Sequence, residues 1–163
     1  YLKENHGAVS YRFSDMLRDI LDRIHVEKKR ENLQTISQLL RQNFSEDIMS
    51  RVLTEDVKKS EHPLIITEGI RRPSDVVHLK ELPNFVMIAI NAEERIRYDR
   101  LVERRENPDD AHKTWEQFQK DGKAEAEQEI KTIAKDANYA IDNNGTIDEL
   151  YNQINTNLET HKV

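Results

Sequence analysis

Two arginines follow the first strongly apolar run of this chain, and that combination suits phosphate chemistry. The run Leu64–Ile66 leads within a few positions to a carboxylate, a glycine and two arginines: Glu68, Gly69, Arg71 and Arg72. Open parallel sheets bind ligands just beyond the carboxyl ends of their strands. A guanidinium placed there grips a phosphate through two parallel hydrogen bonds. The segment therefore predicts a site for a phosphorylated small molecule.

A second apolar run, Phe85–Ile90, predicts a buried strand that enters an arginine-bearing helix. Arg97, Arg100 and Arg104 recur at spacings of three and four, so they share one face of that helix. A solvent-exposed helix with internal salt bridges explains the same spacing, because acidic residues are interleaved. The polar segment 106–113 follows, and this is the arrangement expected of a closing lid.

The segment Ser14–Arg18 adds a third candidate. Ser14 or Asp15 can cap an amphipathic helix, and Arg18 lies one turn inside it. Facing the cleft at the sheet edge, Arg18 would bind an acceptor phosphate; facing solvent, it would be an ordinary surface residue. Glu68 would reach the water shell of a magnesium ion, since Mg²⁺ keeps several waters and takes few protein ligands.

The elements that must position these residues alternate between strand and helix. Strands are expected at 8–13, 64–67, 85–90 and 139–141. Helices are expected at 15–25, 31–43, 45–59, from 93, at 114–136, with an interruption or bend near Gly122, and at 146–158. Another helix should open at Pro73 with Val76, Val77 and Leu79 facing inward. The alternation predicts an α/β fold with a parallel sheet.

Composition narrows the class of protein. The 163 residues carry a formal net charge of −6, from 25 Lys and Arg against 31 Asp and Glu. This balance argues against a general binder of nucleic acid or of anionic membranes. There is no cysteine, and the six histidines show no metal-ligand spacing. No apolar run approaches the length of a membrane span. We therefore expect a soluble, cytoplasmic protein that binds small molecules.

These segments together resemble the nucleoside-monophosphate kinase branch of the P-loop kinases, which includes adenylate kinase and dephospho-coenzyme A kinase relatives. SDMLR (14–18) resembles the acceptor-phosphate helix, and EGIRRPSD (68–75) resembles the strand-three motif, with Glu68 where the family usually has aspartate. YDRLVERRE (98–106) resembles the entry to the lid. YAIDNNGTIDELYNQI (139–154) resembles the terminal strand, the base-contacting loop and the last helix.

The resemblance implies a three-layer α/β/α domain over residues 1–163, with a parallel sheet and a short lid. An acceptor-binding helical region would span about 14–60, and the lid about 104–116. The implied acceptor-binding residues are Asp15, Arg18, Glu68, Gly69, Arg71 and Arg72. The implied ATP-binding residues are Arg100, Arg104, Asn143, Asn144 and Gly145. Arg72, Arg100 and Arg104 would stabilise the transferred charge, and Glu68 would contact Mg²⁺ through water.

One defining motif of that family, the phosphate loop G-x-x-x-x-G-K-[ST], does not occur in these 163 residues. Its place would be just before Tyr1, after the first strand of the sheet. We therefore expect that the sequence in hand lacks this strand and loop. A domain that truly lacked them should be unstable, or inactive as a phosphotransferase.

The resulting functional expectation is an ATP-dependent small-molecule kinase that moves the γ-phosphoryl group to a phosphorylated acceptor. A nucleoside monophosphate is the favoured acceptor and dephospho-coenzyme A the next. RRPSD (71–75) also resembles the corresponding segment of animal phosphomevalonate kinases, which leaves a non-nucleotide acceptor open. The alternatives are a catalytically inactive nucleotide-binding module with a regulatory or interaction role, and a helical scaffold with no ligand.

Overall fold

The computed structural model of the chain describes residues 1–104, 112–123 and 125–161. It divides into two compact units, Tyr1–Phe85 and Val86–Val163. Each unit contains a two-stranded parallel sheet together with helices. The expected α/β class with parallel strands is thus confirmed. Within the described ranges, no helix is both long and apolar enough to cross a membrane.

Unit 1 begins with a short helix that ends at a glycine. Gly7 has φ of +65°, the left-handed conformation that closes a helix at little steric cost. The α-helices and strands of this unit are α1 (Leu2–His6), β1 (Val9–Arg12), α2 (Asp15–Arg23), α3 (Arg30–Asn43), α4 (Ile48–Lys59) and β2 (Ile65–Glu68). Two single 3-10 turns follow, Pro73–Asp75 and Leu79–Glu81.

Strands β1 and β2 are parallel, and their register places Arg12 opposite Glu68 at the carboxyl end. A buried apolar cluster packs the first half of the chain around this strand pair. Its members are Phe13, Leu17, Met49, Leu53 and Leu79. The cluster draws on α2, α4 and the second 3-10 turn, so it fixes the segments that flank the strand ends.

Unit 2 repeats the combination of a parallel strand pair with helices. Its elements are β3 (Ile88–Asn91), α5 (Glu94–Arg104), α6 (Trp115–Asp121), α7 (Glu125–Ala134), β4 (Tyr139–Asp142) and α8 (Ile147–His161). The register places Asn91 opposite Asp142. Ile133 and Ile141 are buried in this unit, as are Met87 and Ala89.

Two expectations about local structure were wrong. The segment after Pro73 forms 3-10 turns instead of an α-helix, and Val77 is 46% exposed while Val76 and Leu79 are buried. Strand β3 begins at Ile88, because its partner strand begins only at Tyr139. Of the predicted lid, residues 105–111 lie outside the described part of the chain.

Candidate functional site

The carboxyl end of the β1–β2 pair carries a linked set of charged groups. Oε1 of Glu68 accepts hydrogen bonds from Ser10 Oγ at 2.7 Å and from Arg12 Nε at 2.9 Å. The Ser10 hydroxyl, followed by the Arg12 guanidinium, lowers the pKa of Glu68 from its ordinary value. The backbone N–H of Arg12 donates to Asp15 Oδ2 at 2.9 Å. Arg12 therefore connects two of the predicted site residues, Asp15 and Glu68.

The double-arginine turn that follows β2 is held by one buried carboxylate. Gly69 has φ of +91°, a conformation that glycine adopts far more readily than other residues, and it redirects the chain as the strand ends. Asp75 is 3% exposed, and its Oδ2 accepts the backbone N–H groups of Arg71 and Arg72, each at 2.9 Å. The turn has a defined backbone, and the side chains of both arginines extend from it.

The predicted acceptor arginines differ in what they contact. Arg72 donates from Nη1 to Glu46 Oε1 at 2.9 Å. The guanidinium groups of Arg18 and Arg71 are exposed and have no hydrogen-bond or ion-pair partner among residues 1–104, 112–123 and 125–161. These two cations are therefore available to an anionic ligand, although the structure does not connect Arg18 to the turn.

Arg41 is a charged residue of this region that sequence reasoning missed. Its side chain is 7% exposed, and Nη2 donates to Asp75 Oδ1 at 2.6 Å. Nη1 donates to Ser74 Oγ at 3.2 Å and also contacts Glu46. On α3 the residue follows Leu39 and Leu40 in an amphipathic pattern, so nothing in its local sequence marked it as buried. The 34 residues that separate it from Asp75 explain why no local motif found it.

A cavity of about 260 Å³ in unit 1 is lined by residues of β1, α2 and α4 and of the segment between β1 and α2. Its lining combines apolar groups from α4 with carboxylates from α2 and α4. The lining includes Tyr11, Asp15, Met16, Asp19, Met49 and Asp56. Three of the lining side chains, Asp15, Asp19 and Asp56, are carboxylates, so the cavity is acidic as well as apolar.

Glu68 fits the predicted magnesium contact poorly. Its Oε1 already accepts two hydrogen bonds, and the guanidinium of Arg12 neutralises its charge at 2.9 Å. Among the described residues, no group of three or more histidine, aspartate and glutamate side chains is placed to hold a metal ion.

The carboxyl end of the β3–β4 pair is a hydrogen-bonded loop. The N–H of Asn143 donates to Asn91 O at 2.7 Å, which extends the strand pairing by one bond. Asp142 Oδ1 accepts both the backbone and the side-chain N–H of Asn144, at 2.9 and 2.6 Å. Asn144 Oδ1 in turn accepts the N–H of Glu93 at 2.6 Å. The three predicted base-contacting residues, 143–145, thus form one ordered loop.

The guanidinium of Arg100 is hydrogen-bonded to this loop. Its Nη1 donates to Asn143 O at 2.6 Å, and its Nη2 donates to Gly145 O at 3.2 Å. The N–H of Gly145 has no hydrogen-bond partner in the described part of the chain. Arg100 therefore positions the loop, and the loop keeps one backbone donor available for a ligand.

The arginines of α5 make different kinds of contact and do not form one binding surface. Arg95 lies over the rings of Tyr98 and Trp115, each at 5.2 Å from the ring centroid. Arg97 lies 5.7 Å from the centroid of Phe118. Arg104 is the exposed last residue of the helix. Arg95 and Arg97 thus contribute to the aromatic packing of unit 2, and Arg100 holds the loop 143–145.

Comparison with known proteins gives relatives whose names state no reaction. The chain is 25% identical over 143 residues to a UPF0200 protein of Hyperthermus butylicus, covering 88% of this chain and 76% of the relative. It is 27% identical over 145 residues to a UPF0200 protein of Staphylothermus marinus, covering 89% and 75%. A UPF0200 protein of Saccharolobus solfataricus is 27% identical over 151 residues, covering 91% and 78%. No family model matches the sequence.

Proposed function

We propose that this protein is an ATP-dependent small-molecule kinase of the P-loop type, which transfers the γ-phosphoryl group to a phosphorylated acceptor. A nucleoside monophosphate is the first candidate acceptor and dephospho-coenzyme A the second. The observation that carries the proposal is the turn after β2. There Asp75 Oδ2 accepts the backbone N–H groups of Arg71 and Arg72, each at an N···O distance of 2.9 Å. Two arginines carried on a hydrogen-bonded turn at a parallel strand end are suited to a phosphate group.

The acceptor side of the proposal rests on unit 1. Asp75 takes up the backbone N–H groups of the turn, so an anion there must be held by side chains. In the described part of the chain, Arg71 presents an unpartnered guanidinium and the Arg72 guanidinium pairs with the exposed carboxylate of Glu46. Binding a phosphorylated acceptor in this way supplies the positioning on which phosphoryl transfer depends.

The donor side rests on unit 2. The loop 143–145 follows a parallel strand, is braced by Arg100 at two carbonyl oxygens, and keeps the N–H of Gly145 available. A backbone donor in a rigid loop can hydrogen-bond a ring nitrogen of adenine. Arg104, at the exposed end of α5, is the remaining candidate for contact with the donor phosphates.

The triphosphate itself requires a phosphate-binding loop, which these 163 residues do not contain. In the P-loop kinases that loop holds the donor phosphates through backbone N–H groups and a lysine. The proposal therefore depends on such a loop in the complete gene product. A protein without one would bind the nucleotide base weakly and transfer nothing.

The test is a transfer assay on the complete gene product with ATP, Mg²⁺ and a panel of acceptors. The panel contains the four common nucleoside monophosphates, dephospho-coenzyme A and phosphomevalonate, and mass spectrometry detects an acceptor one phosphoryl group heavier. We expect transfer to one acceptor class. Arg71→Ala and Arg72→Ala should each raise the acceptor KM about tenfold, equivalent to about 1.4 kcal/mol.

Arg23→Ala is the matched control, because it removes one positive charge from the exposed end of α2 in the same unit. It should leave the acceptor KM unchanged. ATP binding without transfer to any acceptor would replace the proposal with the inactive nucleotide-binding module. Absence of both binding and transfer would leave the helical scaffold.

A further inference from the structure

One carboxylate oxygen in unit 1 is held by two arginines from different segments. Oε1 of Glu46 accepts from Arg72 Nη1 at 2.9 Å and from Arg41 Nη1 at 3.2 Å. Arg41 Nη1 also contacts the main-chain oxygen of Glu46. Two guanidinium groups converging on one oxygen is the arrangement with which proteins bind phosphate oxygens.

The two arginines are held differently. Arg41 is 7% exposed and is fixed from behind by Asp75 at 2.6 Å, and its Nε is buried without a hydrogen-bond partner among the described residues. Arg72 is 45% exposed and is attached to the turn that Asp75 holds. Arg41 is therefore the buried member of the pair, and Arg72 is the exposed one.

Glu46 is the exposed partner of this set. Its side chain is 60% exposed, and it lies in the short connection between α3 and α4. The pair between Glu46 and Arg72 joins two exposed side chains, and such pairs contribute little net stability. When Glu46 leaves, Arg41 keeps its buried partner Asp75. The departure of Glu46 would leave two guanidinium groups facing one buried carboxylate, a local excess of positive charge.

We propose that Arg41 and Arg72, with the Ser74 hydroxyl beside them, form a binding site for a phosphate group, and that Glu46 occupies this site when no ligand is bound. Ser74 Oγ lies 3.2 Å from Arg41 Nη1, within reach of the same anion. Glu46 is then an internal competitor, and a dianionic phosphate displaces its single charge. Assigning this phosphate to the acceptor rests on the proposed kinase function, whereas the anion site itself does not.

The experiment is a titration with inorganic phosphate at low ionic strength, followed by NMR through the arginine Nε–H signals. Removing the competitor should raise affinity, because the apparent dissociation constant scales with the fraction of molecules whose site is open. We expect Glu46→Gln and Glu46→Ala to bind phosphate about five to ten times more tightly than the unaltered protein. Arg72→Gln introduced into Glu46→Gln should abolish that gain.

Two variants complete the design. Glu61→Gln removes one exposed negative charge of the same unit that forms no ion pair with Arg41 or Arg72, so it controls for net charge and should change phosphate affinity less than twofold. Arg41→Lys keeps a charge for Asp75 and should fold, yet it loses the planar fork and should bind phosphate at least about fivefold more weakly.

The proposal is overturned if Glu46→Gln and Glu46→Ala bind phosphate no more tightly than Glu61→Gln, or if Arg72→Gln leaves the gain intact. This outcome is independent of turnover. Phosphate titrations as expected together with no transfer to any acceptor would sustain the anion site and refute the kinase function. Transfer to an acceptor, together with no effect of the Glu46 variants on phosphate affinity, would support the kinase function and refute the anion site.

Discussion

The two parallel strand pairs end in loops that are held in opposite ways. After β2, a carboxylate, Asp75, accepts two backbone N–H groups and leaves guanidinium side chains extending outward. After β4, a guanidinium, Arg100, donates to two backbone carbonyls and leaves a backbone N–H available. The first loop is therefore suited to bind anions through side chains. The second is suited to bind a neutral, hydrogen-bonding ring through its backbone.

The difference shows that arginine near a strand end does not by itself identify a phosphate site. Arg71 and Arg100 both follow apolar strands in the sequence, yet only Arg71 keeps its guanidinium free of partners among the described residues. The distinguishing feature is whether the loop's own carbonyl groups lie within reach. Where they do, as for Arg100 at Asn143 O and Gly145 O, the guanidinium donates to them and becomes part of the loop's structure.

The largest effect should follow from breaking the buried pair in the first loop. Asp75→Ala leaves Arg41 without its partner at a side-chain exposure of 7%. Loss of one member of a buried ion pair costs about 3–5 kcal/mol. We expect urea unfolding to shift by that amount and amide exchange at residues 71 and 72 to accelerate. Glu61→Ala, an exposed acid of the same unit, should leave both unchanged.

The corresponding change in the second loop should be smaller. Arg100→Ala removes two hydrogen bonds from a charged donor, each to a loop carbonyl. Both bonds are partly or fully exposed to solvent, so each contributes at the low end, about 0.5–1.5 kcal/mol. If loosening the loop weakens binding by their sum, ATP affinity should fall by roughly tenfold to a hundredfold. Calorimetry would measure it. Lys131→Ala, an exposed cation of α7, serves as the control, and equal losses in both variants would contradict the role of Arg100.

Replacing a glycine by alanine should destabilise the protein in the first loop and not in the second unit. Gly69→Ala forces a side chain into φ of +91° and should destabilise the protein by about 1–2 kcal/mol. Gly122→Ala should be neutral or stabilising by up to about 1 kcal/mol, because φ there is −64°. Thermal unfolding of the two variants checks the contrast, and similar shifts would refute it.

The smallest effect concerns two carboxylates with lowered pKa values, one at each loop. Hydrogen bonds from Ser10 and Arg12 lower the pKa of Glu68, and hydrogen bonds from Thr146 lower the pKa of Glu149. Both contributions to stability are present above the ordinary value of 4.5 and are lost as pH falls through the lowered pKa.

An NMR pH titration should therefore place both carboxylates below 4.5, the ordinary value. Ser10→Ala should raise the pKa of Glu68 and leave that of Glu149 unchanged. A shift of both, or of neither, would show that the Ser10 hydroxyl does not act on Glu68 directly.

The sequence supported good predictions wherever apolar spacing decided the outcome. Helices α2, α3 and α4 and strands β1 and β2 lie within a few residues of the expected ranges, because each buries one apolar face or stripe. Strand β3 starts late because Asn138 replaces a strand partner: its side chain accepts the N–H of Met87 at 2.8 Å, and its N–H donates to Met87 O. No local sequence pattern predicts that Asn138 pairs with Met87 in place of a strand residue.

The turns of the candidate site could be predicted from the sequence, but its ion pairs could not. Gly69 and the double arginine could be recognised because a glycine between a strand and a charged turn has few structural uses. The roles of Arg41 and Glu46 could not, since both depend on segments 26 to 34 residues away. Burial of a charge is a tertiary property, and an arginine in an amphipathic helix looks the same whether it meets solvent or a buried aspartate.

The most direct test of the account is to map the two ligand classes onto the two loops by amide NMR of the complete gene product. ATP should shift the signals of residues 143–145, and the phosphorylated acceptor should shift those of residues 69–75. Shifts confined to these separate segments would support a donor loop and an acceptor loop. Both ligands shifting the same segment, or neither ligand shifting either, would contradict it.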